Sequence, residues 1–208
     1  MAKRRKVSNL LGLTLLSQLT ERPMYPYEMA SVLRERGKDA AIKINWGSLY
    51  TVVRNLDKAG FIEALNVDRD GRQPERTTYQ ITSEGRAELT DWLSELLGEP
   101  AREYTSFEAG LGDCAMLGPD QVEALLRKRL ETLDAANAEQ EAQLGAVRAQ
   151  VPRLFLIESE YYLAMRRAEA DWVRGMLREF TDGTLDGIDG WRHYHQTGEL
   201  PAEFTGGG

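Results

Sequence analysis

Apolar residues recur at helical spacing from the start of the chain. Leu10, Leu11, Leu13, Leu15, Leu16 and Leu19 lie between a candidate cap, Ser8 or Asn9, and a stop at Arg22-Pro23, which predicts a first, mostly buried helix. Met29, Val32 and Leu33 share one face of a second, short helix over Tyr27–Arg36, ended by Gly37. A third helix is predicted from about Asn45 to Ala59, with Leu49, Val52, Val53 and Leu56 as its apolar stripe and Gly60 as its stop. The period then changes. Phe61–Val67 reads as a strand, Asp68–Arg72 holds an Asp-Gly turn signal, and Thr77–Ile81 alternates like a returning strand. Three helices and a hairpin predict a winged helix-turn-helix.

Beyond the hairpin the pattern is helical again. Thr82 or Ser83 caps a fourth helix through Leu97, with Leu89, Trp92, Leu93 and Leu96 as its apolar face, before Gly98 and Pro100 interrupt it. Tyr104–Leu117 is apolar but broken by glycine, which predicts a short irregular helix. Gly118-Pro119-Asp120 opens a long helix carrying Val122, Leu125, Leu126, Leu130, Leu133, Leu144 and Val147. Pro152 separates it from a second, Arg153 to about Phe180, with Leu154, Ile157, Tyr161, Leu163, Ala164, Ala168, Trp172, Met176 and Leu177. Two long helices joined by a short break predict an antiparallel hairpin, and its apolar surface predicts packing against a second copy. The expected fold is therefore mainly α with a small β-hairpin wing. A winged helix-turn-helix domain with its connecting helix (1–98) precedes a helical dimerisation and effector domain (99–182) and a flexible, glycine-rich tail (183–208).

Composition narrows the chemistry. The chain has 208 residues, 42% hydrophobic and 28% charged, enough apolar material for a real core. One cysteine, Cys114, excludes an internal disulfide framework, and two histidines with one cysteine are too few soft ligands for a closed zinc site. His193-Tyr194-His195 has strand spacing for a metal pair but no further ligands nearby, so neither metal nor cofactor is expected. No apolar run approaches the ~20 residues of a membrane span, and the basic start lacks a small-residue cleavage pattern, so the expected location is cytoplasmic.

Net charge is −7, which as a single number argues against a polyanionic partner. Its distribution reverses that inference. Residues 1–86 hold 15 Lys and Arg against 10 Asp and Glu, a net +5, and residues 87–208 hold 11 against 23, a net −12. The basic excess coincides with the predicted winged helix. With its stripe buried, the third helix turns Ser48, Thr51, Arg54, Asn55 and Lys58 outward, with Tyr50 at the boundary; these donors, amide and cations suit base edges and phosphates in a major groove. Arg69, Arg72 and Arg76 fall at the hairpin tip, where a wing meets phosphate.

These residues resemble the PadR family of transcriptional regulators. The likeness rests on Tyr25-Pro26-Tyr27-Glu28, Gly47-Ser48-Leu49-Tyr50, Leu56-Asp57-Lys58-Ala59-Gly60-Phe61-Ile62 and the run Arg76 to Gly85, most of residues 9–95. The resemblance implies operator contacts from Tyr50 and Ser48, with Thr51 and Arg54, and backbone contacts from Arg72 and Arg76. Trp46 stands where the family more often has a small or polar residue, and is expected to pack on the second helix. The resemblance also implies a double-stranded DNA operator, a homodimer through the C-terminal helices and a small aromatic or lipophilic effector. Candidate effector residues are Trp92, Tyr104, Phe107, Tyr161 and Tyr162, each of which would equally serve as a core or interface aromatic.

An enzyme finds little support, since no Ser-His-Asp ordering and no Gly-rich loop after a strand is present. Cys114 has no Lys or Arg beside it in sequence to lower its pKa and reads as a structural thiol. The competing class is a winged-helix adaptor that binds protein without DNA. Salt-dependent affinity for duplex DNA separates the two.

Overall fold

A computed structural model describes residues 5–36, 46–66 and 77–199, which form eight α-helices and a two-stranded antiparallel sheet. The chain divides into two compact units, Met1–Arg102 and Glu103–Gly208.

In the first unit, α1 (Leu10–Leu19) opens on Asn9, whose Oδ1 accepts a hydrogen bond from the Leu11 N–H at 2.9 Å. Pro26 occupies the first turn of α2 (Pro26–Glu35), where a missing N–H costs nothing. Glu21 accepts two hydrogen bonds from Arg36, at 2.6 and 2.8 Å, tying the end of α1 to the end of α2; the guanidinium holds the Glu21 carboxyl below its ordinary range. A 3₁₀ turn at Trp46–Ser48 leads into α3 (Leu49–Lys58), so the regular helix starts later than the expected Asn45. Gly60, at φ +80°, lets the chain leave α3 directly into β1 (Ile62–Asn66), with the Phe61 N–H bonded to the Leu56 carbonyl at 3.0 Å. Its partner β2 (Thr78–Ile81) pairs Ile62 with Ile81 and Ala64 with Tyr79, with an irregularity before Asn66.

Met24 and Tyr79 exchange backbone hydrogen bonds of 3.0 and 2.9 Å, so the turn before α2 is stitched to the wing. One core of Leu11, Leu15, Leu16, Leu19, Met29, Leu33, Leu49, Val52, Val53, Leu56, Phe61, Ile62 and Ile81 holds the unit together. Such burial contributes about 1.5–3 kcal/mol per large aliphatic side chain.

Thr82 caps α4 (Ser83–Gly98), its Oγ1 accepting from the Gly85 N–H at 3.0 Å. Glu84 in the first turn is held below the usual carboxylate range by its own backbone N–H and the Ser83 hydroxyl. The expected apolar face of α4 is only half realised. Leu89 and Trp92 are buried, whereas Leu93 and Leu96 are exposed, because the core ends one turn past Leu89. Arg5 packs beside α4, its guanidinium 5.3 Å from the Trp92 ring centre. Burial alone would lower the Arg5 pKa, but hydrogen bonds donated to Glu88, Glu95 and Asp91 outweigh it and raise the value.

In the second unit, α5 (Ser106–Gly112) is capped by Thr105 and followed by a 3₁₀ turn, Cys114–Met116. The long helices α6 (Pro119–Val147) and α7 (Ile157–Asp182) pack antiparallel. Val122 and Leu126 meet Val173, Leu177 and Phe180 at one end, and Leu144 meets Leu156 and Leu163 at the other. Between these clusters Asn137 and Ala170 are buried, and part-exposed ion pairs flank the helices: Arg129 with Glu169, Arg174 with Asp134 and Arg167 with Glu141.

Two expectations are corrected here. The second long helix begins at Ile157 rather than Arg153, since Arg153–Phe155 forms a 3₁₀ turn after Pro152. The expected flexible tail from 183 instead contains α8 (Ile188–Thr197). Ile188 is buried, and Trp191 lies edge-on to Phe180 and donates its indole N–H to the Leu117 carbonyl at 2.9 Å, so within 183–199 the glycines mark turns around a helix; residues 200–208 lie outside the described residues. No described helix is long and apolar enough to cross a membrane.

Candidate nucleic-acid interface

The geometry of α3 follows from its stripe. Leu49, Val52, Val53 and Leu56 are all buried in the first unit's core, which fixes the rotation of the helix about its axis. Thr51, Arg54, Asn55 and Lys58 are then exposed, Tyr50 is 39% exposed at the edge of the stripe, and Ser48 is half-buried at the helix start. Arg54 Nη2 approaches Thr51 Oγ1 at 3.4 Å, one turn back along the same face. Among the described residues no carboxylate lies within ion-pair distance of Arg54 or Lys58, whereas Arg5, Arg22 and Arg36 of the same unit are all paired. Among the described residues, these two cations have no carboxylate partner, on a face that also offers a phenol, a hydroxyl and an amide.

Position along the chain hides one further candidate. Tyr27, in the first turn of α2, is 62% exposed because Pro26, Met29, Ala30 and Leu33 take the buried face. A sequence reader could find it only by noticing that Tyr27 falls off that face. In a helix-turn-helix the first helix crosses the nucleic-acid backbone, and a phenol there can donate to phosphate.

Arg69, Arg72 and Arg76, and the turn expected at Asp68–Arg72, lie outside the described residues, as do Gly37, Asn45 and the side chain of Trp46. The two strands leading to that turn are in place and antiparallel.

The candidate effector residues are divided between the two units, Trp92 in the first and the others in the second. Trp92 is buried in the first unit against Arg5. In the second unit, Phe107 lies edge-on to Trp172 at 6.0 Å and carries the Arg129 guanidinium over its face at 3.7 Å. Tyr161 and Tyr162 are exposed near the start of α7, with Arg166 stacked 4.6 Å from the Tyr162 ring. Tyr162 and Trp172 are ten residues apart on one helix, or about 15 Å. Tyr104 precedes α5 and is also exposed. Cys114 is half-buried at the edge of the Val122 cluster. His193 and His195 fall two apart on a helix, pointing to different sides, and His195 Nε2 lies 3.0 Å from the Ala115 carbonyl.

Residues 15–91 match the model of the transcriptional regulator PadR-like family. The "Probable transcriptional regulator Rv1176c" of Mycobacterium tuberculosis is 30% identical over 138 residues, a stretch covering 69% of that protein and 58% of this one. Bacillus subtilis PadR bound to operator DNA superposes with a TM-score of 0.64 at 18% identity, over 83% of this chain and 99% of that one. The virulence activator AphA of Vibrio cholerae gives 0.61 at 19%, over 83% and 98%. The family model runs from within α1 into α4, the curated relative is covered over more than two thirds of its length, and the chain belongs to the PadR-like family of transcriptional regulators.

Proposed function

We propose that the protein binds a near-palindromic operator as a homodimer, with α3 in the major groove and the wing on the backbone, and that a small aromatic effector modulates binding. The observation that carries the reading is the outward face of α3. Among the described residues, Arg54 and Lys58 stand there without carboxylate partners, beside Tyr50, Thr51 and Asn55. Ser48 and Tyr50 at the helix start are assigned to base edges together with Arg54 and Asn55. Lys58, Tyr27, Arg72 and Arg76 are assigned to phosphates. Bacillus subtilis PadR in complex with operator DNA, of similar fold, supports this placement.

A dimer gives the contact its specificity. Two recognition helices roughly 34–36 Å apart read two successive major-groove faces, where one alone reads a short half-site. The surface for a second copy is α7, where Ile157, Tyr161, Ala164, Met165, Ala168 and Trp172 are exposed in one stripe at near-heptad spacing. The effector reading draws on a structure of Bacillus subtilis PadR with p-coumaric acid and on the aromatics Trp92, Tyr104, Phe107, Tyr161 and Tyr162. Whether binding represses or activates depends on where the operator lies relative to the promoter.

Fluorescence anisotropy with the gene's own upstream region tests the reading. Log affinity should fall linearly with log salt, and Arg54→Ala should weaken specific binding by about 1–3 kcal/mol, with a smaller loss on random duplex. Salt-independent binding, or Arg54→Ala and Tyr50→Ala variants with the parent's operator affinity, would overturn it. For the effector, release of the duplex on adding p-coumaric acid or another small aromatic is expected. A broad aromatic panel that neither quenches tryptophan fluorescence nor releases DNA removes that part.

A further inference from the structure

α7 carries apolar residues on two opposite faces. At about 100° per residue, Leu163, Ala170, Val173 and Leu177 point to one side and are buried, whereas Ile157, Tyr161, Ala164, Met165, Ala168 and Trp172 point to the other and are exposed. Between residues 157 and 172 the exposed face is the more apolar of the two, because the buried one has Arg166 in its middle. Apolar burial alone therefore does not explain why α6 takes the face it does.

Two polar residues in the seam supply a reason. Arg166 continues the heptad spacing of Leu163, Ala170, Val173 and Leu177, and Asn137 continues that of Leu126, Leu130, Leu133 and Leu144 on α6. Arg166 Nη2 donates to the Ala136 carbonyl at 2.9 Å, which brings the guanidinium to the turn of α6 that holds Asn137. Asn137 is 7% exposed and is the only buried polar residue among the described residues of the second unit. Its Oδ1 and the Arg166 Nε are both buried with no hydrogen-bond partner among the described residues, an acceptor on one helix and a donor on the facing one. Arg129, Arg167 and Arg174 on these helices each pair with a carboxylate, and Arg166 pairs with none among the described residues. Such a layer costs stability relative to leucine. What it confers is a choice between alternatives, since a polar group is buried at tolerable cost only where another faces it. Were α7 turned half a revolution about its axis, Asn137 would face Ala164, Met165 and Ala168, whose side chains carry no hydrogen-bond donor, and the Ala136 contact would be lost.

We propose that Asn137 and Arg166 decide which face of α7 pairs with α6 of the same chain, and so reserve the stripe from Ile157 to Trp172 for a second copy. The reservation rests on the dimeric reading above, whereas the choice of face is a property of one chain.

Disulfide trapping in the full chain reads the face directly. In a Cys114→Ser background, Leu133→Cys is combined with Ala170→Cys, on the buried face one turn from Arg166, or with Ala168→Cys, on the exposed face at nearly the same height. Intrachain closure in a glutathione buffer is timed for both pairs in the parent, in Asn137→Leu and in Asn137→Leu/Arg166→Leu, with melting followed in parallel. The parent should close the 133–170 pair at least about tenfold faster than the 133–168 pair. That ratio should fall to about threefold or less in the double variant, with Asn137→Leu in between, while the melting temperature holds or rises. Dimer affinity from sedimentation equilibrium should fall about tenfold in the double variant, whose outer stripe is partly turned inward. Asn137→Leu alone keeps the experiment decisive if the double variant does not fold. A parent ratio that survives in both variants overturns the proposal. So does a lower melting temperature with the ratio unchanged, the mark of a packing role. Collapse of the ratio in a protein whose parent is monomeric sinks the dimeric reading and the reserved stripe, and leaves the choice of face standing.

Discussion

Gly85 shows how one residue ties the wing to the connecting helix. A Cβ built there would lie 2.0 Å from the Phe61 carbonyl oxygen and 2.9 Å from Ile81 Cγ1. The first turn of α4 therefore rests directly on the backbone where α3 hands over to β1. That contact is also the one through which Thr82 bonds, its N–H to the Phe61 carbonyl at 3.1 Å and its hydroxyl to the Gly60 carbonyl at 2.7 Å. Because the clash is with backbone, no side-chain rotation relieves it. Gly85→Ala should lower stability by at least about 1–3 kcal/mol, read as a fall in the urea midpoint at unchanged slope. An unchanged midpoint would mean that α4 does not sit on the strand junction as described.

Between elements, the wing is braced by β2, and Tyr79 is where the bracing can be titrated. Its backbone bridges to Met24, and burial first, then the nearby Asp57 charge, raise its phenol pKa above the ordinary value. The neutral phenol is the form favoured by folding. Its contribution is complete below about pH 10, where the unfolded chain's tyrosines begin to ionise, and is lost as pH rises from there through the folded value. Stability should thus decline above about pH 10, and Tyr79→Phe should make that decline shallower in chemical denaturation series from pH 8 to 11; identical slopes would discount the shift.

The elements themselves were readable to different depths. The α3 stripe was legible residue by residue because Leu49, Val52, Val53 and Leu56 are buried against a single core, so period and environment agree. On α7 the apolar residues in the sequence belong to two faces, one buried (Leu163, Val173, Leu177) and one exposed (Ile157, Tyr161, Ala168, Trp172), and periodicity alone merged them. α8 escaped notice because Gly187 and Gly198 bracket only ten residues, and its order comes from tertiary contacts of Trp191 and Ile188. The Arg5 cluster joins residues more than eighty apart in sequence, which no local pattern announces.

At the scale of the whole molecule, charge sets opposite demands on the two contacts a regulator needs. Residues 1–86 carry a net +5 and residues 87–208 a net −12, so a polyanion is attracted to the first stretch while two copies of the same chain, each at −7, repel. In the proposed dimer, association through α7 would have to overcome that repulsion with apolar area, and the stripe from Ile157 to Trp172 runs about 22 Å along the helix. Salt then acts in opposite directions. Raising it screens the repulsion between protomers and tightens the dimer, while it weakens operator binding by reducing the gain from counterion release. Sedimentation equilibrium from 50 to 500 mM salt should show a dimer dissociation constant that falls or holds steady over the range in which operator affinity drops by orders of magnitude. Met165→Glu, in the middle of the stripe, should give a monomer at every salt concentration, with affinity for the full operator reduced to that for a half-site. A dimer that survives Met165→Glu, or that dissociates as salt rises, would place the interface on a different and more polar surface.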